Sequence, residues 1–198
     1  MLQLGQEDGR STHEKIKRRE KGMRKLSTIG FVVLLLVQFG CTSYRIERTD
    51  NSNATQKIDR TGSAYVSVCE DGRYDAEIYL GSGMATAQVI MNEFLKYLTV
   101  VSIGKTQETY DEALKSALYG GYKYFIYPSI EQWEDHATEV TEIRDKLRLT
   151  IIVVETLSGE QLDLVMISGK SKFFTVGGDQ PQDLLATPIR IYVNSLFE

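Results

Sequence analysis

Residues 146–172 read KLRLTIIVVETLSGEQLDLVMISGKSK, and their reading decides the fold. Lys146–Thr156 and Gln161–Lys172 are rich in aliphatic and β-branched residues of the kind that pack on a pleated surface. Leu157-Ser158-Gly159-Glu160 lies between them and has the length and the glycine of a hairpin turn. The stretch predicts two long antiparallel strands.

Upstream, Tyr124–Ile130 (YFIYPSI) reads as a strand, with Pro128 marking an edge or a bulge near its end. Before it, Thr109 is placed to cap a helix whose face is Ala113, Leu114, Ala117 and Leu118, and Gly120-Gly121 ends that helix. Leu98–Ile103 (LTVVSI) is a further strand. It follows a helix opened by Gly81-Ser82-Gly83, with Met84, Ala87, Met91, Phe94, Leu95 and Leu98 at helical spacing. Ala64–Cys69 (AYVSVC) alternates and begins the series as a strand. Downstream, Thr187-Pro188 has the form of an N-cap and first helical residue, and Ile189, Tyr192, Val193 and Leu196 give that helix an apolar face.

The predicted order is β-α-β-α-β-β-β-α. Right-handed crossovers make the first strands parallel, and the hairpin then adds antiparallel ones. The expectation is an α/β (α+β) fold: a single domain with a mixed sheet and helices packed on it.

The N-terminal part reads differently. In residues 24–41, RKLSTIGFVVLLLVQFGC, a basic start leads into an apolar run that ends in Gly40-Cys41. Ile29–Phe39 is about the length of a signal-peptide core and falls short of the roughly 20 residues that a spanning helix needs. Lys21, Arg24 and Lys25 supply the positive flank. This is the layout of a bacterial lipoprotein signal peptide, although Gln38 and Phe39 depart from the usual residues before the cysteine. Residues 23–40 are therefore expected to be removed and Cys41 to carry acyl chains, palmitate among them. An uncleaved anchor or ordinary secretion are the alternatives. Met23 opens an ordinary signal peptide, so residues 1–22 read as an extension ahead of the true start. Thr42, rather than Asp, after the cysteine favours the outer over the inner membrane. The expected location is the cell envelope, with the domain in the periplasm.

Residues 1–40 hold 8 of the 23 Lys and Arg and 4 of the 27 Asp and Glu, which leaves 15 basic against 23 acidic from Cys41 onward, a net charge of −8. So acidic a domain argues against nucleic acid or an anionic membrane surface as its main ligand. Residues 41–62 are polar and read as the lipidated cysteine and a flexible tether. Residues 63–198 form the globular part, long enough for a proper core. With Cys41 lipidated, Cys69 has no disulfide partner, and its place in an apolar run predicts a buried thiol.

Several constellations invite a site. Glu131, Glu134, Asp135, His136 and Glu139 gather carboxylates around the one histidine beyond the signal segment. Such groups can hold a divalent cation, but a single His with no second fixed ligand pattern also describes a solvated strand end. Gly177-Gly178-Asp179 and Asp183 can close a turn and cap the next helix, or form a binding loop that meets Lys170 and Lys172. Gly81-Ser82-Gly83 offers backbone N–H groups to an anion but lacks the full dinucleotide fingerprint. No GxSxG elbow is present for hydrolase chemistry. These residues supply no catalytic set, no metal site and no cofactor.

The motifs GGYKY at 120–124, WEDHATE at 133–139, GKSK at 169–172 and GGDQPQDLL at 177–185 occur in this order. On them, over about residues 64–197, the chain resembles the DUF4823 family of bacterial lipoproteins, a family without an established activity. The resemblance implies an envelope location and an α/β domain and carries no mechanism.

The expected function is that of a lipid-anchored periplasmic lipoprotein acting as a non-enzymatic binding, structural or regulatory module. Its partners are the bilayer, through the acyl chains of Cys41, and an envelope protein. The expected contact surface comprises Trp133, Glu134, Asp135, His136, Lys170, Lys172, Gly177, Gly178, Asp179 and Asp183, with Trp133 itself expected to pack over a core edge. The alternative is a small metal- or ligand-dependent envelope enzyme centred on Glu134, Asp135 and His136.

Overall fold

The computed structural model describes residues 43–49, 58–134, 145–171 and 184–198. Eight strands and three helices follow in the order β1 (Ser43–Arg48), β2 (Ser63–Val68), β3 (Arg73–Tyr74), β4 (Glu77–Ile78), α1 (Ser82–Phe94), β5 (Val100–Gln107), α2 (Tyr110–Tyr119), β6 (Tyr124–Glu134), β7 (Lys146–Glu155), β8 (Glu160–Lys170) and α3 (Ala186–Phe197). Six of the strands make one mixed sheet in the order β1-β8-β7-β6-β2-β5, and β3 and β4 form a small ribbon. The predicted series runs through this list as β2-α1-β5-α2-β6-β7-β8-α3. The fold is a single α+β domain.

β2 lies parallel to both β5 and β6, whereas β6, β7, β8 and β1 are antiparallel in turn. β2 leads through α1 outward to β5, and β5 leads through α2 back across β2 to β6. Two crossovers of the same hand that travel in opposite directions must lie on opposite faces of the sheet. The packing agrees. Val66 and Ile126 bury with Ala87, Ile90 and Phe94 of α1 and with Ile189 and Val193 of α3. Tyr65 and Phe125, the alternate residues on the same strands, bury with Ala113 and Ala117 of α2.

The hairpin closes through Thr156–Gly159, where Gly159 takes a left-handed φ of 71° that favours glycine. The Ser158 N–H donates to Glu155 at 2.9 Å and fixes the turn. Pro128 pairs with Ile151 of β7 but lies two residues beyond Ile126, the last β6 residue matched to β2. Its missing N–H therefore leaves no bond to β2 unmade, and a register shift follows between Ile130 and Gln132.

Two expectations are corrected. Thr187 does not cap α3: the helix already begins at Ala186, with Leu185 at its N-cap and no side-chain bond closing it. Within the stretch read as a flexible tether, Ser43–Arg48 forms the edge strand β1, paired with β8 from Ser43↔Lys170 to Arg48↔Val165. The same stretch contributes Ile58 to the core, where its N–H donates to Leu196 O at 3.0 Å. The polarity misled because β1 is an edge strand on which only Ile46 is half-buried. Its order comes from a ladder to residues about 120 positions away and from Arg48, whose guanidinium meets Asp163 at 3.1 Å. The expected signal segment, Cys41 included, lies outside the described residues.

Candidate functional site

The end of the sheet where β6 finishes and β7 begins carries the described part of the predicted surface. Here Glu134, Lys146, Lys170 and Ser43 stand in one register row across four strands. Glu134 is only 5% exposed. Its carboxylate accepts from Lys146 Nζ at 2.9 Å and from Gln132 Nε2. Lys170 is exposed at the end of β8.

Trp133 belongs elsewhere. At 2% exposure it is a core side chain, packed against Gly72 in the turn before β3. It supports this end of the sheet from within and is not an exposed contact. Alternation decides this: Trp133 shares the inner face with Leu147, its cross-strand partner, while Glu134 points the other way. Asp135, His136, Lys172, Gly177, Gly178, Asp179 and Asp183 lie outside the described residues. Among the described residues no group of three or more His, Cys, Asp or Glu is arranged to hold a metal ion.

A crevice that the sequence reading did not single out lies along the carboxyl ends of the parallel strands. The chain leaves β2 for one face of the sheet and β5 for the other, and a cleft of about 480 Å³ opens between the two departures. Its walls are Cys69–Asp71 and Arg73 after β2, Gln107–Thr109 and Glu112 after β5, and Tyr127 and Ser129–Glu131 of β6, which continues past both shorter strands.

Each acid in this cleft has structural partners. Asp71 Oδ1 accepts the Gly83 N–H at 2.9 Å, so the start of α1, read as a possible anion cradle, is occupied by a carboxylate of the chain itself. The close approach requires glycine, because a Cβ at Gly83 would sit 2.2 Å from the Cys69 carbonyl oxygen. Glu108 accepts from the Tyr65 hydroxyl at 2.6 Å and from Ser116 Oγ at 2.7 Å, tying β2 to α2. Burial and that carboxylate push the Tyr65 phenol far up. Thr109 and Glu112 complete the expected cap as a capping box, and the bonds from Thr109 hold the Glu112 carboxyl below its ordinary range. Thr150 Oγ1 donates to Glu131 at 3.1 Å, and Glu70 lies 4.0 Å from Arg73.

Cys69 is the buried thiol that the apolar run predicts, 3% exposed and pushed up to about 12 by burial. A thiol so raised is protonated at neutral pH and is not a nucleophile. A general base needs a carboxylate free to take a proton, whereas Asp71, Glu108 and Glu112 hold oxygens on structural donors. What the crevice can offer is a concave, acidic surface with one aromatic wall at Tyr127. A sequence signal existed for one wall, since Glu70-Asp71 follow directly on Ala64–Cys69, a strand read as parallel, whereas Glu108 meets the strand end only because β5 runs past Ile103 to Gln107.

Sheet order, crossovers and crevice define a mixed-sheet α+β domain without a recognisable catalytic constellation among its described residues. The chain belongs to the family described as a domain of unknown function (DUF4823), whose family model matches residues 56–196. Among solved structures it is similar to the PelC dodecamer from Paraburkholderia phytofirmans, with 12% identity, a TM-score of 0.57 and coverage of 79% of this chain and 97% of that one. It is more loosely similar to the lipoprotein GNA1162 from Neisseria meningitidis, with 12% identity, a TM-score of 0.42 and coverage of 69% of this chain and 98% of that one. No curated protein matches the chain.

Proposed function

We propose that this chain is a lipid-anchored envelope lipoprotein whose domain binds a partner protein in the periplasm and performs no chemistry of its own. One observation carries the reading: the run ending in Gly40-Cys41 has the layout of a lipoprotein signal peptide, and a folded strand begins two residues later at Ser43. The crevice supports the second half of the proposal, because Asp71, Glu108 and Glu112 are held in caps and cross-links. Its acidic wall is the concave surface open to a partner.

The test is affinity purification of C-terminally tagged protein from cross-linked envelopes, beside Cys41→Ser. The expected result is an envelope protein that is lost with Cys41→Ser and weakened by Glu70→Arg. Recovery of no partner with either version would overturn the binding reading and move attention to small ligands of the crevice.

A second reading is a subunit of a ring. The solved PelC chain, which shares the fold, is a dodecamer, and among the described residues the sheet of this chain ends in two edge strands, β1 and β5, each paired on one side only. Open edges favour pairing between copies. Light scattering on the detergent-solubilised protein distinguishes a monomer from a closed assembly.

A further inference from the structure

The anchor and the sheet are joined by so little chain that lipidation would orient the domain. Two residues bring the chain from Cys41 to Ser43, a reach of at most about 7 Å. Ser43 is the first residue of β1 and stands in register with Lys170, which in turn pairs with Lys146. β1 is not free to peel away and lengthen the link, because Arg48 at its other end is held by Asp163 at 3.1 Å and donates to Ser195 Oγ at 2.8 Å.

The rows nearest the anchor are basic on the sheet face turned away from α1 and α3. Arg148, Ser168 and Arg45 form one row, and Lys146, Lys170 and Ser43 the next. Alternation puts these side chains opposite the inward-facing Leu147 and Leu149. Among the described residues, the acids on this part of the face are Glu47, paired with Arg45, Glu134, paired with Lys146, and Glu131, which accepts from Thr150 Oγ1. Arg148 and Lys170 are exposed. A basic surface in a domain of net charge −8 from Cys41 onward stands against the overall field, and it lies where the chain would enter the bilayer.

We infer that this end of the sheet, through Arg45, Arg148, Lys146 and Lys170, rests on anionic phospholipid headgroups when Cys41 is acylated. The inference rests on the lipid-anchor reading and adds an orientation to it. The hairpin turn at Thr156–Gly159 then points away from the membrane, about 30 Å from the surface at the strand rise of an antiparallel sheet. The acidic crevice opens on the membrane-proximal side, because β2, β5 and β6 all run toward that end. Basic residues next to a lipid anchor gain from the negative surface potential of anionic lipids.

The test uses the full chain, acylated, in vesicles of phosphatidylcholine with phosphatidylglycerol and a headgroup nitroxide quencher. A fluorophore is placed at Ser168→Cys or at Leu157→Cys, the latter in the exposed turn. The mass of the Cys41 peptide is read first. Absence of acylation refutes the anchor, and the orientation with it. With acylation present, the expected result is quenching at least threefold stronger at Ser168→Cys than at Leu157→Cys, reduced at least twofold by Arg148→Glu with Lys170→Glu. Equal quenching at the two positions overturns the orientation while leaving the anchor intact. Quenching unchanged by the double charge reversal overturns the headgroup contact.

Discussion

Arg48 Nη2 stands 3.1 Å from Asp163 Oδ2, and the same guanidinium lies over the Tyr192 ring, 5.4 Å from its centroid. One side chain thereby joins the N-terminal edge strand, the strand beside it and the C-terminal helix. Asp163 is buried, and Arg48 sets an opposite charge against it. Burial first, and that carboxylate second, push the Tyr192 phenol well above its ordinary value.

Arg48→Ala is expected to cost about 2 kcal/mol, between the values for exposed and fully buried ion pairs. It should also release β1. Urea unfolding measures the first effect, and limited proteolysis at residues 43–49 the second. A lowered midpoint with β1 still protected would show that the ladder to β8, not Arg48, holds the strand.

Trp133 sits in the core, so its truncation should act on stability before it acts on any partner. Trp133→Ala is expected to cost about 3–5 kcal/mol, in the range for deleting a large buried aromatic, and Trp133→Phe distinctly less. Thermal melts of the two variants check this. Loss of partner binding with an unchanged melting temperature in Trp133→Ala would return the residue to the contact surface.

Acid should loosen the segment that leads into β2. Asp59 accepts from the Thr61 N–H at 2.9 Å and from Lys123 Nζ at 3.0 Å, and these bonds lower its carboxyl from 3.8 to about 2. A depressed folded value means stability that is present above about pH 4 and is lost as the pH falls toward 2. Melting temperatures between pH 5 and pH 2 should therefore fall less steeply for Asp59→Asn than for the parent chain. Parallel curves would mean that Glu112 and Glu155, also held low by hydrogen bonds, carry the effect.

Cys69 should ignore thiol reagents in the native state. Its thiol is buried and raised to about 12, so a disulfide-exchange dye at pH 8 should react with it only at the rate of unfolding, and at once in denaturant. Rapid native labelling would show that the crevice wall opens.

Legibility followed the range of the interactions. The hairpin, the Thr109 cap and the buried Cys69 depend on neighbours within a few residues, and all are readable as periodicity or turn chemistry. The helix faces were legible in part: Ala87, Phe94, Ala113 and Ala117 are buried as expected, but Leu95 and Leu118 are exposed and Ile90 takes an inward place. Trp133 packs in the core, as its core-edge reading expects, and its place in the contact surface was not separable from Glu134 by sequence because one residue along a strand reverses the face and the register shift between Ile130 and Gln132 falls just before it. The crevice was missed because it belongs to two loops some 37 residues apart that only the crossovers bring together.

By itself the sequence determined the series from β2 to α3 apart from the β3–β4 ribbon, the mixed sheet, the family resemblance and the expectation of an anchor at Cys41, because each is written in local pattern or contiguous motif. Only the tertiary structure decided that Ser43–Arg48 is a strand and that the basic rows gather beside the anchor. It also decided that the acids after β2 and β5 share one cleft. The physical reason is the same in each case. An edge strand, a cross-strand row and a crevice at strand ends owe their existence to partners distant in the chain, and a polar segment shows no sign of such a partner until the sheet has formed.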